Sequence, residues 1–465
     1  MRKTAFVFIA LALSIVASPA VGEMCTIDQV PAATLLVPYF AVEYDEPQTT
    51  AIDTFFSINN ASAEAALAHV TLWTNLSQPT IDFDIYLSGY DVVTVSLWQV
   101  FQGNIPITAD DQSDPLDTIS PQGPISADDS FTDCDSFFPL FNNPVIAGNN
   151  LERLINGHTG NGISSLGGNC LGLNLGDNVA RGYITIDSVS QCSTLFPGDP
   201  PGAESYFVDG GLGVANNNNQ LWGDWFLIDP DMEIGNFVTG DTLVHIEADD
   251  AFNAASTVTG ATFYGRYSIT GSAGGGADNR EPLGTTWGTR YLLPDADPDT
   301  MDFFDGTDLI VWRDSTTDNQ PNVGFTCGTA PDWYPLNETQ VVAFDEEESA
   351  VEICFSRGGG VISPPDDPTD PGCFPLETGR YAFGEGDLAV PYQFGWVYLN
   401  LNVPPDAPTG DVDFPSDPGV SQSFVHTVYQ ADGRYSVGLN AIQLTNACSD
   451  ANPELGSALT LPTFP

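Results

Sequence analysis

The segment "PDADPDTMDFFDGTD", residues 294–308, places six aspartates beside two phenylalanines. Its first three aspartates alternate like the first ligands of an EF-hand loop, and calcium prefers carboxylate oxygens. The rest of that pattern fails, because Thr300 replaces the glycine of the turn and Gly306 replaces the closing glutamate. A calcium loop of another kind therefore competes with a solvated acidic turn, which is the favoured interpretation. The candidate calcium ligands are Asp295, Asp297, Asp299, Asp302 and Asp305.

Two tryptophan-bearing segments, "LWGDWF" and "NREPLGTTWGTRY", point to sugar chemistry. Glycoside hydrolysis needs two carboxylates at a suitable separation, and aromatic side chains provide platforms for sugar rings. The candidate carbohydrate residues are Trp222, Asp224, Trp225, Glu281 and Trp287. In a chain with 62 acidic residues some carboxylates lie near tryptophans by chance, so core or turn aromatics are the favoured interpretation.

The patterns of other reaction classes are missing. The sequence has no GxSxG serine elbow and no GxxxxGK[ST] phosphate loop, and Lys3 is its only lysine. A zinc site needs at least three converging ligands, whereas the histidines read as polar-face residues of strands. The four histidines are His69, His158, His245 and His426. We therefore predict no catalytic residue and no cofactor other than calcium.

The first residues, "MRKTAFVFIALALSIVASPAVGE", combine a basic start, an apolar run too short to cross a bilayer, and small residues. This pattern predicts a secretory signal peptide and an exported protein, either extracellular, at the cell surface or periplasmic. Eight cysteines in an exported chain predict structural disulfides. Cys373 and Cys448 bracket the last block of the chain, and we predict that these two pair.

The charge balance restricts the partners. With 62 acidic and 11 basic residues the formal net charge is −51. Such a surface repels phosphate backbones and anionic lipids, so we expect neither nucleic-acid nor direct membrane binding. Protein or polysaccharide partners at the cell surface remain compatible with it. The self-repulsion must be offset by salt or by bound divalent cations such as calcium.

Alternation of apolar and polar residues predicts strands. Phe83, Ile85 and Leu87 face one way and the polar residues between them face the other, the period of a half-buried strand. The 45 glycines and 35 prolines supply turns, and 42% hydrophobic residues suffice for a core. Similar segments lie at residues 53–60, 68–74, 91–101, 181–189, 396–403 and 424–430. We predict an all-β fold of two to three antiparallel β-sandwich (Ig-like) domains with long acidic loops.

Composition also predicts where the chain divides. The predicted segments are a signal peptide (1–22), an N-terminal β-sandwich (23–197) with a long loop-rich insertion (about 102–178), a central β-rich domain (198–357), a Pro/Asp/Gly linker (358–372) and a C-terminal β-rich domain (373–465). The motif "VPYF" at 37–40 is echoed by "VPYQF" at 390–394. The echo suggests related sandwiches at the two ends of the chain, with chance as the alternative.

The segments "VPYF", "SINN", "AHVTLWT", "RGYITID", "LWGDW", "DTLVHIEA" and "DNREPL" resemble those of a group of uncharacterised exported bacterial proteins. The resemblance spans most of the mature chain and implies export and β-structure, without an activity. The function we predict is that of a secreted or cell-surface structural or binding protein without catalysis, with calcium as a candidate stabiliser. The alternative is a carbohydrate-binding module or a glycoside hydrolase.

Overall fold

The structure is a computed structural model that describes residues 29–105, 145–197, 206–208, 210–230, 237–249, 262–264, 278–294, 304–315, 324–329, 331, 334, 336, 338–353, 373–402, 421–431 and 435–444. The strands are β1 (Thr34–Val42), β2 (Asp53–Asn60), β3 (Ala66–Thr74), β4 (Pro79–Leu87), β5 (Val92–Ser96), β6 (Ala180–Val189), β7 (Leu221–Trp222), β8 (Asp224–Asp229), β9 (Phe237–Thr242), β10 (Val244–Ile246), β11 (Thr286–Leu292), β12 (Phe304–Ser315), β13 (Gln340–Asp345), β14 (Ala350–Ile353), β15 (Thr378–Phe383), β16 (Phe394–Asn400), β17 (Ser421–Ala431), β18 (Tyr435–Asn440) and β19 (Ile442–Gln443). The α-helices are α1 (Leu97–Phe101) and α2 (Asn149–Thr159), and short 3-10 helices span Ser164–Leu166 and Gly386–Leu388.

The strands form four antiparallel sheets, which confirms the predicted all-β sandwich class. Sheet A has the order β10-β1-β6-β3-β4, and sheet B has the order β5-β2-β8-β9 with β7 also paired to β2. Sheet C has the order β15-β12-β17-β18, and sheet D has the order β14-β13-β16-β11-β19. Sheet A lies in the middle, because its two faces contribute to two different hydrophobic cores.

Strand β6 shows how sheet A serves both cores. Ile184 and Ile186 belong to the core shared with sheet B, whereas Tyr183 belongs to the core shared with sheets C and D. Successive residues of a strand point to opposite faces, so both sets are buried at once. Strand β4 follows the same rule: the predicted apolar face is in the first core, and on the predicted polar face Asp84 and Tyr86 are buried while Asp82 is partly exposed. Strand β4 is therefore more deeply buried than the half-buried strand that the alternation predicted.

Two helices interrupt segments that the sequence assigned to strand or loop. The predicted strand at 91–101 ends at Ser96, whose hydroxyl accepts a hydrogen bond from the backbone N–H of Gln99 and caps α1. Helix α2 lies in the predicted insertion, buries Leu154 and ends before Gly160, whose φ of 67° is the left-handed conformation that suits glycine. Among the described residues, no helix is both long enough and apolar enough to cross a bilayer.

Strand pairing crosses the predicted boundaries between blocks. From the predicted central block, β10 pairs with β1 in sheet A and β8 pairs with β2 in sheet B. Strand β12, also from that block, pairs with β15 and β17 of the C-terminal block. The boundaries at 197 and 357 therefore separate residues that share sheets. The linker at 358–372 lies outside the described residues.

A disulfide joins Cys170 to Cys327, with the two Cα atoms 5.1 Å apart. It fixes the loop after α2 to residues 324–329, where the backbones of Cys170 and Phe325 also exchange two hydrogen bonds. Cys192 and Cys373 are disulfide-bonded too, and no described cysteine is free. The predicted partner of Cys373, Cys448, lies outside the described residues.

Candidate functional site

The predicted carbohydrate residues do not form one site. Trp225 and Trp287 are fully buried and Glu281 is buried, so these three belong to the protein interior. Trp222 is 44% exposed, and Asp224 accepts a hydrogen bond of 2.8 Å from the Ser57 hydroxyl. Trp222 lies on β7 of sheet B, and Asp224 and Trp225 lie on β8 of the same sheet. Trp287 lies on β11 of sheet D.

Most of the predicted calcium residues lie outside the described residues: Asp295, Asp297, Asp299 and Asp302. Asp305 belongs to β12, but its side chain lies outside the described part of the structure. Within the residues that are described, no three His, Cys, Asp or Glu side chains are grouped so as to hold a metal ion. The calcium loop stays a prediction.

A cleft of about 960 Å³ lies between the edge of sheet C and the neighbouring strands of sheet A. One wall is a continuous run of eight residues, 378–385, which comprises β15 and the two residues after it. The facing wall includes Tyr39 and Ala41 of β1 and Arg181 of β6. Thr378 closes one end, since its hydroxyl donates a hydrogen bond of 2.6 Å to the carbonyl of Pro38. The volume is within the range of small-ligand sites.

The two arginines of the cleft lining are each paired with an aspartate. Arg380 donates to Asp308 Oδ2 through Nε at 2.7 Å and approaches it through Nη2 at 2.6 Å. Gln430 Nε2 donates to the same oxygen at 3.0 Å. On the facing wall, both terminal nitrogens of Arg181 donate to the carboxylate of Asp177, at 2.7 and 2.5 Å. Each arginine is therefore largely neutralised by its aspartate.

The Arg181–Asp177 pair shifts the pKa of both groups. Burial disfavours the charge of Arg181, but the hydrogen bond and the charge of Asp177 together with the neighbouring Tyr39 outweigh it and raise the pKa of Arg181 above its ordinary value. The hydrogen bond from Arg181 lowers the pKa of Asp177. Both side chains stay charged near neutral pH, and together they present no net charge to the cleft.

Apolar and aromatic groups form the rest of the lining. Tyr39, Tyr381 and Tyr392 contribute rings, and Leu293 and Phe383 contribute apolar surface. Burial raises the pKa of Tyr381, so its phenol stays protonated near neutral pH. The cleft therefore combines apolar contact with hydrogen-bonding groups, two neutralised arginines and one exposed carboxylate, Glu385.

A second polar cluster crosses sheet A but is sealed from solvent. Register places Asp84 of β4 opposite His69 of β3, and places Asp187 of β6 opposite both His69 and Thr34 of β1. His69 Nδ1 lies 2.8 Å from Asp84 Oδ1. We call Asp84, His69, Asp187 and Thr34 the buried row; all four are buried. A histidine beside a carboxylate resembles catalytic chemistry, but here no solvent reaches it.

Side chains from distant loops cover the buried row. The hydroxyls of Tyr206 and Tyr264 donate to Asp187 Oδ2 at 2.5 and 2.9 Å. Arg280 Nε lies 3.4 Å from Asp187 Oδ1, and Arg280 Nη1 lies 3.5 Å from Asp278 Oδ1. The Arg280 guanidinium also lies over the ring of Phe207, 5.2 Å from its centre. Asp187 is thus a fully buried carboxylate held by at least three donors.

Two buried histidines respond to these surroundings in opposite ways. Burial disfavours the charged form of His69, but the carboxylates of Asp84, Asp82 and Asp187 outweigh it and raise its pKa to about 9. His158 lacks such neighbours, and burial lowers its pKa to about 4. Near neutral pH His69 is therefore charged and His158 is neutral.

The sequence analysis missed the residues that line the cleft, although one signal pointed to them. Tyr39 belongs to the "VPYF" motif, and residues 390–393 belong to its echo "VPYQF"; both segments line the cleft. Comparison of the chain with protein-family models, curated proteins and solved structures finds no match. The function must therefore be argued from the geometry of this chain.

Proposed function

We propose that the protein is a secreted or cell-surface binding protein without catalysis, and that the cleft beside β15 is its ligand site. The observation that carries the proposal is a cleft of about 960 Å³ whose two arginines are both already paired with aspartates. The paired side chains can form directional hydrogen bonds to a ligand, and because each pair is neutral the ligand need not be charged. Polysaccharides or proteins at the cell surface are the partners we propose, and calcium is a candidate stabiliser.

The environment of Asp308 favours binding over hydrolysis. A glycoside hydrolase needs one carboxyl group kept protonated to act as the acid and a second that stays ionised. Arg380 and Gln430 both donate to Asp308 Oδ2, so this carboxylate is already engaged by two side chains of the protein. The other described carboxylate of the lining, Glu385, is exposed. Asp308 is therefore better placed to hold Arg380 and Gln430 in position beside a ligand than to act on the ligand itself.

Carbohydrate binding is the second candidate, and the two partly exposed tyrosines of the lining, Tyr381 and Tyr392, favour it. Aromatic rings provide apolar platforms for sugar rings. Tyr39, Tyr381 and Tyr392 line the cleft together with the amides of Gln393 and Gln430. A neutral oligosaccharide would find both kinds of contact there.

The test fills the cleft without disturbing the core. Ala382 is exposed and lines the cleft, so Ala382→Trp places a large ring in the ligand space. Leu212, 80% exposed and away from the lining, supplies the control Leu212→Trp. Calorimetry would be run with neutral oligosaccharides of cellulose, xylan and chitin, and with uncharged peptides. We expect at least one probe to bind, with about tenfold or greater loss in Ala382→Trp alone.

Two results would count against the proposal. Equal binding by the wild type and both tryptophan variants would move the ligand site elsewhere. Chromatography would detect any shortening of the oligosaccharides during incubation, and such shortening would indicate a hydrolase rather than a binding protein. Thermal unfolding of each variant establishes that both remain folded.

A further inference from the structure

We propose that the ligand of the cleft is an amino sugar, whose protonated amine pairs with Glu385 and whose ring packs on the tyrosines of the lining. The inference rests on the proposed function and names the class of its ligand. Three features of the cleft lead to it: the balance of charge, the position of Glu385 and the exposure of two aromatic rings.

The first feature is the balance of charge. Among the described residues of the lining, four carry a formal charge: Arg181, Arg380, Asp308 and Glu385. Arg380 is paired with Asp308, and Arg181 is paired with Asp177. Glu385 is exposed, and no side chain of the described residues is bonded to its carboxylate. The lining therefore keeps one uncompensated negative charge, to which a cationic group of a ligand can donate a charge-assisted hydrogen bond.

The second feature is the position of Glu385. It directly precedes the 3-10 helix Gly386–Leu388, and its carbonyl accepts a hydrogen bond of 2.9 Å from the Leu388 N–H. The Leu388 carbonyl in turn accepts a hydrogen bond of 3.0 Å from the Gly384 N–H. These two bonds fix the backbone on both sides of Glu385, so its carboxylate extends from a well-defined point of the cleft wall.

Leu293 joins this point to a second part of the wall. Its side chain packs against Gly384, where an added Cβ would lie 2.6 Å from it. The Leu293 N–H donates a hydrogen bond of 2.7 Å to the Gln393 carbonyl. Glu385 and the lining segment 390–393 therefore lie at the same end of the cleft.

The third feature is the pair of partly exposed rings, Tyr381 and Tyr392. Both pack against the core that sheet A shares with sheets C and D, and this packing holds the rings in place. Tyr392 belongs to the segment at the Glu385 end, and the exposed Gln393 follows it. A sugar ring can pack on such an aromatic platform while its hydroxyls bond to the amide. The Glu385 end thus offers ring contact, neutral hydrogen bonds and a negative charge together.

The charge of the whole molecule favours the same class of ligand. The formal net charge of −51 attracts cations and repels anions, and a cleft concentrates such a field between its low-dielectric walls. An acidic sugar would be repelled, and a neutral sugar would leave Glu385 uncompensated. A lysine peptide would neutralise Glu385 but would bring no sugar ring to the tyrosines. An amino sugar makes both contacts.

The experiment compares a glucosamine tetramer with the chitin tetramer, in which each amine is acetylated and uncharged. Calorimetry is run at about pH 5.5, where ordinary carboxylates are ionised and amines are protonated. We expect the glucosamine tetramer to bind about fivefold more tightly, the effect of one favourable exposed ion pair. In Glu385→Gln this preference should fall below about twofold. Glu64→Gln is the matched control, because Glu64 is exposed outside the lining and its loss changes the net charge equally.

A second arm uses the unmodified protein, so it does not depend on any variant. Raising sodium chloride from about 0.01 M to about 1 M shortens the screening length from about 30 Å to about 3 Å. The affinity for the glucosamine tetramer should then fall toward that for the chitin tetramer, which should change little. Trilysine, which carries a similar charge without a sugar ring, should bind more weakly than the glucosamine tetramer.

Four results would overturn the inference. The first is a glucosamine tetramer that binds no more tightly than the chitin tetramer. The second is a preference that Glu385→Gln keeps, and the third is a preference that Glu385→Gln and Glu64→Gln lose equally. The fourth is trilysine binding as tight as that of the glucosamine tetramer. The last two would mean that net charge alone attracts the cation.

The outcomes separate this inference from the proposed function. If neutral oligosaccharides bind and Ala382→Trp abolishes that binding, while Glu385→Gln changes no preference, the cleft remains the ligand site and amine recognition is wrong. If the glucosamine tetramer binds the wild type, Ala382→Trp and Glu385→Gln alike, both proposals are wrong.

Discussion

The cleft and the buried row use the same chemical groups to different ends. Each has an arginine beside an aspartate, with tyrosines nearby. Arg280, which covers the buried row, and Asp187 within it have side chains 1% and 0% exposed, whereas those of Arg380 and Asp308 in the cleft are 22% and 9% exposed. Solvent access therefore decides whether such a pair stabilises the fold or remains available to a ligand.

The physical reason is what each charged group contacts once its partner has been removed. When one member of a sealed pair is removed, the other stays in the interior without water, which is costly. When one member of an open pair is removed, water replaces it, and exposed pairs contribute little to stability. The burial of Asp187 is also why two tyrosine hydroxyls are directed at it. The fold depends on the buried row far more than on the cleft.

The largest expected effect tests this contrast with one substitution made in both regions. Arg280→Met leaves Asp187 and Asp278 buried without their cation, and we expect it to lower the free energy of unfolding by roughly 3–5 kcal/mol. Arg380→Met, the matched control, should cost less than about 1 kcal/mol because its pair is partly open to water. Urea unfolding measures both. Similar losses of unfolding free energy in the two variants would contradict the contrast between the sealed pair and the open pair.

The next effect concerns pH and the two buried histidines. The raised pKa of His69 means that its charged form stabilises the fold fully below its ordinary value of 6.5, and that this contribution is lost as pH rises through about 9. The lowered pKa of His158 acts in reverse: its contribution is complete above 6.5 and is lost as pH falls through about 4. Each contribution is on the order of 3 kcal/mol.

The measurement compares the wild type with His69→Gln and His158→Gln from pH 4 to pH 10 by urea unfolding. The stability difference between the wild type and His69→Gln should shrink toward alkaline pH, and the difference for His158→Gln should shrink toward acid pH. Because glutamine does not titrate, groups that are not coupled to the substituted histidine cancel in each difference. Differences that stay flat with pH would show that the carboxylates beside His69 do not act as described.

Strand positions in this chain follow from local sequence, but neither site does. The predicted segment 53–60 coincides with β2, because its apolar alternation is local. The buried row depends on the register of the neighbouring strands β3 and β4 against β6, which is distant in the sequence, and on covering loops that hold Tyr206 and Tyr264. The alternation of apolar and polar residues predicted that the polar face of β4 is exposed to solvent, because no neighbouring part of the sequence indicates which loops cover this face.

The cleft could not be predicted from the sequence for the same reason. Arg380 and Asp308 meet only because β12 pairs with β15 across 72 residues of sequence. The echo between "VPYF" and "VPYQF" placed a tyrosine in each of two distant segments, and Tyr39 and Tyr392 do line one cleft. The repeated motif was interpreted as a sign of related sandwiches, and only the fold shows that residues of both copies line the same cleft.

The smallest expected effect extends the comparison to the predicted calcium ligands of the acidic segment at residues 294–308. Asp297 and Asp299 lie in the acidic segment that opened the sequence analysis, and the net charge of −51 makes bound cations favourable there. If these aspartates hold calcium, millimolar calcium should stabilise the fold by about 1 kcal/mol, or a few degrees in Tm. Sodium chloride of equal ionic strength screens the charges equally but does not bind these aspartates specifically, so it should stabilise the fold less than calcium does. The double variant Asp297→Asn with Asp299→Asn should lose the calcium-specific gain. Equal stabilisation by both salts would leave these aspartates as a solvated turn, with their charge balanced by the medium.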